Sequence, residues 1–129
     1  MTKITAPISS GELLDKLSIL QIKLENISDT HKLNAIKTEQ KLLTKLMKTY
    51  LGNYAQSDAR LRELIVLNSR LWKVEDEIRQ KESKKEFDKD FITLARNVYT
   101  INDERFAVKA RVNQETGSLV SEQKSYSPY

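Results

Sequence analysis

Apolar residues recur along most of this chain at spacings of three and four, the period of an amphipathic α-helix. Polar breaks divide the pattern into four helical segments and a tail. The first segment opens at Pro7-Ile8-Ser9-Ser10-Gly11-Glu12, where Ser9 suits an N-cap and Glu12, three residues on, completes a capping box. The pattern predicts a helix over about 10–28. Leu13, Leu14, Leu17, Leu20, Leu24 and Ile27 form its main stripe, and Ile19 and Ile22 sit on nearly the opposite side. A helix apolar on two sides is sandwiched between elements or meets another chain.

After the break Ser28-Asp29-Thr30, a second helix is predicted over about 31–50, with Ile36, Leu42, Leu43, Leu46, Met47 and Tyr50 as its core stripe. Leu51-Gly52-Asn53-Tyr54-Ala55-Gln56 is the clearest breaker, and Ser57 or Asp58 can cap a third helix over about 58–84. The polar turn Ser83-Lys84-Lys85-Glu86 leads to Asp88, a cap for a fourth helix over about 88–113. The tail after Glu115-Thr116-Gly117-Ser118 keeps Leu119, Val120, Tyr126 and Tyr129. That is apolar enough to fold back over the second side of the first helix, near Ile19 and Ile22. The expected fold is all-α: an antiparallel bundle of four helices in one domain, 1–129, with an ordered tail packed across it.

Two helices carry polar residues where apolar ones belong. In the third, Leu61, Leu64, Ile65, Leu67, Leu71, Trp72, Val74 and Ile78 make one broad arc, and Asn68, Glu75 and Arg79 fall in its middle. In the fourth, Asn102, Arg105 and Lys109 interrupt the arc that includes Phe91, Val98, Tyr99, Ile101, Phe106 and Val112. A short turn between two long helices makes them antiparallel, which sets Asn68 level with Asn102 and Arg105, and Glu75 level with Tyr99 and Arg96. A buried ion needs a partner, because an unpaired one costs several kcal/mol, roughly 3–5 when one member of a pair is removed. The candidate ligand-binding residues are therefore Glu75, Arg79, Asn68, Tyr99, Asn102 and Arg105, joined by Glu12 and Asp15 of the first helix. This internal polar layer either specifies helix register or binds an anionic ligand through its arginines. Trp72 and Tyr99 read as core packing rather than as a base-stacking platform.

Composition narrows the chemistry. The chain has 129 residues, 31% of them charged, with one histidine and no cysteine. Disulfides, cysteine nucleophiles and thiolate metal sites are excluded, and His31 alone makes neither a classical zinc site nor a histidine dyad. No metal and no cofactor is expected. The opening residues lack an apolar run of signal-peptide length, and no segment has the roughly 18 uninterrupted apolar residues of a membrane span, so the expected location is cytoplasmic. The net charge is +4, and its sharpest pattern is the row Lys37, Lys41, Lys45 and Lys48 on the second helix. The row is a candidate polyanion face. No aromatic or arginine interleaves with it, which favours a solvated surface over nucleic acid.

Ser10-Gly11-Glu12-Leu13-Leu14-Asp15-Lys16 with Ile19-Leu20, Leu71-Trp72 with Glu75-Asp76 and Ile78-Arg79, and Phe87-Asp88 with Phe91-Ile92 form a recognisable series. It continues through Leu94-Ala95-Arg96, Val98-Tyr99, Asn102-Asp103 and Arg105 into Gly117-Ser118 and Lys124-Ser125-Tyr126. The series resembles an uncharacterised family of small helical bacterial and phage proteins along nearly the whole chain. One departure is Ser10, where the pattern has proline; a change at the first helical turn alters how the helix begins and not its chemistry. The resemblance implies a single domain that includes the tail, and no activity.

The best functional expectation is a non-enzymatic binding or accessory protein whose partner is an anionic small ligand, another protein or a second copy in a homodimer. The alternative is a small magnesium-dependent enzyme acting on a nucleotide or sugar phosphate, with Glu12, Asp15, Glu75 and Asp76 converging in a cleft. It fits the acidic-pair pattern of all-helical nucleotide pyrophosphohydrolases poorly, since Glu75 is followed at three by Ile78. Binding to nucleic acid through the lysine face comes third.

Overall fold

The computed structural model describes residues 2–129. Four helices make up the fold: α1, Ser10–Asn26; α2, Thr30–Leu51; α3, Ser57–Ser83; and α4, Lys89–Thr116. No strand occurs among the described residues. Three of the four starts follow from side-chain caps. The Ser9 hydroxyl accepts from the Glu12 N–H, and the carboxylates of Asp29 and Asp88 accept from the Lys32 and Phe91 N–H groups. The second half of the expected capping box is not used, because the Glu12 carboxylate turns to Lys109. Neither Ser57 nor Asp58 caps α3. The helix starts from a backbone turn in which the Ser57 N–H donates to the Tyr54 carbonyl, and Gln56 stands at the cap without a side-chain bond.

The helices alternate in direction. Arg60 with Glu115, Arg70 with Glu104 and Lys81 with Asp88 pair α3 against α4 in opposite senses, and Gly11 with Asn113 and Asp15 with Arg105 do the same for α1 and α4. α1 is the hub, packing against all three other helices, while α2 leans chiefly on α1. Leu13, Leu14, Leu51, Leu64 and Val112 form one core cluster, and Leu67, Val74 and Ile101 form another, with Val108 packed against both.

This arrangement changes three expectations. Of the core stripe foreseen on α2, only Ile36 is buried, and Leu42, Leu46 and Tyr50 stand exposed, because a helix with one neighbour has only one face to bury. α4 continues three residues past the expected end. Its last turn is held against α1 and stops where Gly117 takes the left-handed conformation (φ 65°), which lets the Ser118 N–H close back on the Asn113 carbonyl. The tail is ordered, yet it runs along α4 and not over Ile19 and Ile22. The Asp103 carboxylate draws it there, accepting from Lys124 Nζ at 2.9 Å and from the Tyr129 hydroxyl at 2.6 Å. The Tyr129 ring meets Tyr99 edge to face at 4.7 Å. Ile19 and Ile22 lie instead against α3.

The tightest approach in the fold is between the start of α1 and the end of α4. The Gly11 N–H donates to Asn113 Oδ1 at 2.7 Å and the Ser10 N–H to Ser118 Oγ at 3.2 Å, so α4 and the turn after it satisfy donors that a helix start leaves free. A Cβ on Gly11 would stand 2.5 Å from the Lys109 carbonyl oxygen and 2.9 Å from its Cα. Both neighbours are backbone and cannot swing aside. Gly11→Ala should therefore lower stability by about 1–3 kcal/mol, the usual cost of overpacking, read as a lower urea midpoint with an unchanged helical signal. Ser10→Ala, which adds no atom to the seam, should leave the midpoint within about 0.5 kcal/mol.

The tail contact carries its own pH signature. The Tyr129 hydroxyl and then the Lys124 ammonium hold the Asp103 carboxyl below the usual aspartate value, and the same Asp103 bond raises Tyr129 above the usual phenol value. A lowered acid contributes above its unfolded value and is lost as pH falls through the folded one. A raised phenol contributes below its unfolded value and is lost as pH rises through the folded one. Proteolytic cleavage of the tail should therefore be slow and flat through neutral pH and accelerate at both extremes. Asp103→Asn should remove the acid limb.

Candidate functional site

Three helices bring polar side chains to one level of the bundle. Asp15 faces inward from α1 and is 2% exposed. Its Oδ1 accepts from Asn68 Nδ2 of α3 at 2.8 Å, and its Oδ2 accepts from Arg105 Nη2 of α4 at 2.6 Å. Ser18, one turn along α1, donates to the Asp15 carbonyl and accepts the second Asn68 Nδ2 bond at 2.7 Å. Both amide hydrogens of Asn68 are thus spent inside the protein. Arg105 completes its own shell with Asn102 Oδ1 at 2.8 Å, but its Nε is buried with no hydrogen-bond partner.

Lys109, one turn beyond Arg105, is the second cation of this layer. Its ammonium lies 2.8 Å from Glu122 of the tail, 3.3 Å from Glu12 and 3.7 Å from Asp15. Burial alone would depress its pKa, but the Glu122 hydrogen bond and the charges of Asp15 and Glu12 outweigh burial and raise it. Two cations, Arg105 and Lys109, face three carboxylates, Asp15, Glu12 and Glu122. The layer is therefore saturated with internal charge and leaves no surplus positive charge for an anion.

Two cavities flank this layer, and Arg105 borders both. The first is a cleft of about 480 Å³ between α1 and α3, walled by Ile19, Ile22, Leu71 and Trp72, with Asn68 and Arg105 and also Glu75, Asp76 and Arg79 among its lining residues. The second, about 410 Å³, lies between α4 and the tail and reaches Tyr99, Asn102 and Lys109. The first has the size and largely apolar wall of a small-molecule site.

The sequence candidates divide accordingly. Glu12, Asp15, Asn68, Asn102 and Arg105 come together. Glu75 and Arg79 do not join them: they form an i,i+4 pair at 3.3 Å on the cleft rim, with the Arg79 side chain 78% exposed. α4 covers the Val74 side of this part of α3, but α1 ends at Asn26, so Glu75 and Arg79 still reach solvent. Trp72 and Tyr99 are not core residues either. Each is 38% exposed, Trp72 on the cleft and Tyr99 beneath the tail. Lys37, Lys41, Lys45 and Lys48 are all exposed. The acidic quartet foreseen for magnesium does not converge: Glu12 and Asp15 are ion-paired to Lys109 and Arg105, Glu75 to Arg79, and Asp76 accepts from Gln80. No group of three or more potential metal ligands occurs among the described residues.

Ser18, Asn113 and Glu122 escaped the sequence reading. Ser18 falls three residues after Asp15 on the same inward face, which is the one signal that could have found it. Asn113 and Glu122 follow from the length of α4 and the path of the tail, neither of which periodicity reports. Arg60, buried between Glu63 and Glu115 beside the apolar end of the bundle, is a further ion cluster of structural character.

Removing Asp15 leaves Arg105 and Asn68 buried without their acceptor. Asp15→Ala should cost about 3–5 kcal/mol in a urea titration, whereas Asp15→Leu combined with Arg105→Met should recover most of that loss, since apolar replacement of a whole buried pair is often neutral. A double variant as unstable as the single one would refute the electrostatic account of the layer.

Comparison with known proteins adds the lineage. No curated protein and no solved structure matches the chain. A model for a family of unknown function, DUF6165, matches residues 4–129, from the arm before α1 to the end of the tail, and the chain belongs to that family.

Proposed function

We propose that this protein is a non-enzymatic binding protein, an accessory protein of the cytoplasm, whose α1/α3 cleft takes up a small amphipathic ligand. The ligand has an apolar body, held by Ile19, Ile22, Leu71 and Trp72, and ends in a hydrogen-bond acceptor directed to Arg105. The observation that carries this reading is a cleft with a largely apolar wall that has Arg105 among its lining residues, the buried Nε of that arginine being a donor without a partner. Such a donor costs about 1–3 kcal/mol while unpaired, which an incoming acceptor recovers.

The charge balance refines the ligand expected from sequence. Because Asp15 already matches the charge of Arg105, the cleft selects for an acceptor rather than for negative charge, and a neutral carbonyl qualifies better than a carboxylate.

Trp72 is the only tryptophan and stands in the cleft wall, so its emission reports occupancy directly. Titration with 4-phenylbutyramide should give a saturable change with a dissociation constant of about 0.1–1 mM, in keeping with the efficiency of small ligands, and 4-phenylbutyrate should bind more weakly. Ile19→Arg, which fills the cleft from a half-buried position, should abolish both. No saturable change at millimolar ligand, or binding indifferent to Ile19→Arg, would refute the proposal.

A further inference from the structure

The chain's net positive charge resides on one helix. α2 carries Lys32, Lys37, Lys41, Lys45 and Lys48 against Glu39, five positive charges against one negative, a net of +4 that equals the formal charge of the whole chain. Everything outside α2 is balanced. All five lysines are exposed, and among the described residues none is ion-paired. Elsewhere, Lys81 of α3, Lys109 of α4 and Lys124 of the tail each hold carboxylates.

The same helix shows an uncovered apolar stripe. Leu42, Leu46 and Tyr50 follow at intervals of four, exposed by 46%, 40% and 75%. Lys41 and Lys45 precede the two leucines by one residue each and so flank the stripe along its length. Leu46 and Tyr50 share a groove with Ile8 of the N-terminal arm and with Leu119, which is fully exposed. Three separate segments of the chain thus contribute to one apolar patch bordered by free ammonium groups.

We infer that α2 is a membrane-surface helix that docks the protein on anionic lipid headgroups, with Leu42, Leu46, Tyr50 and Leu119 entering the acyl boundary and Lys37, Lys41, Lys45 and Lys48 meeting the headgroups. Charge decides the occupant. A second copy would bring another +4 against the same face, and like-charge juxtaposition disfavours it. The face holds no arginine, so it lacks the rigid fork that reads individual phosphates or carboxylates; ammonium groups on flexible stems suit a diffuse anionic surface and snorkel beside apolar insertion. Tyrosine at the edge of the stripe is at home at the lipid–water boundary. Attachment is to the surface, for no helix among the described residues is long and apolar enough to cross a membrane.

The test is co-sedimentation of the full chain with vesicles of phosphatidylcholine alone and with about one-third phosphatidylglycerol. Binding should require the anionic lipid and weaken with salt. Lys41→Glu with Lys45→Glu should weaken it at least about tenfold, given the usual contribution of each basic residue near such a surface. Leu46→Asp should weaken it about as much even at low salt, with helical signal and urea midpoint unchanged. Lys84→Glu with Lys89→Glu, the same charge change at exposed sites outside α2, should alter binding by less than about twofold. Four results would overturn the inference: no binding to anionic vesicles at low salt; equal loss in the Lys84/Lys89 variant; a stable dimer in solution that Leu46→Asp dissociates; or binding to heparin or RNA but not to vesicles, unaffected by Leu46→Asp.

Discussion

One carboxylate ties three helices together. Asp15 takes Asn68 of α3 on one oxygen and Arg105 of α4 on the other, and Lys109 stands behind it as a second counter-charge. A buried pair of this kind contributes little net stability, because the desolvation of both ions offsets most of their attraction. Its effect is on specificity. A slide of α1 by one turn against α4 would keep apolar residues facing apolar residues, but it would part Asp15 from Arg105 and leave a buried charge without its partner. Only one register satisfies Asp15, Ser18, Asn68 and Arg105 at once, and that register also brings Gly11 under Asn113 and Glu12 within reach of Lys109.

What the sequence made legible was the division into helices and the face that each buries at its middle. Ser9, Asp29 and Asp88 mark starts because a short acceptor side chain can reach a free backbone N–H. Asn68 and Arg105 are conspicuous because the residues on either side of them in the arc are apolar. Periodicity reports an azimuth and says nothing of how far a neighbour extends along the axis. Glu75 and Arg79 share the azimuth of Asn68, yet they stand where α1 runs out at Asn26, and Leu42 and Leu46 share an arc with buried residues on a helix that has one neighbour. The tail's course depended on Asp103, an ordinary surface acid by sequence, whose pull on Lys124 and Tyr129 appears only once α4 is set in place.

The layer also separates two kinds of surface. On the side of α1 and α3, a largely apolar cleft has Arg105 in its lining. On the side of α4, the tail lays Glu122 on Lys109, so a residue far along the chain completes the charge balance of a core built by the helices. The tail is thereby part of the electrostatic closure of the fold. The free positive charge is kept elsewhere, on α2, where no carboxylate competes for it. Saturated charge inside and unsatisfied charge on one outer helix are complementary results of the same distribution of acids.

The seam between Gly11 and Asn113 has a consequence for chain entropy. Its hydrogen bond joins residues 102 apart in sequence, so it closes a loop containing nearly all of the helical chain. Loop-closure cost grows only with the logarithm of length, and closing about 100 residues instead of 10 adds about 2 kcal/mol. A few dense contacts around a residue without a side chain are enough to offset that increment. At the start of α1 the seam thus reinforces the tie that the Asp15 layer and the packing of α1 on α3 make between the two helical hairpins, α1 with α2 and α3 with α4.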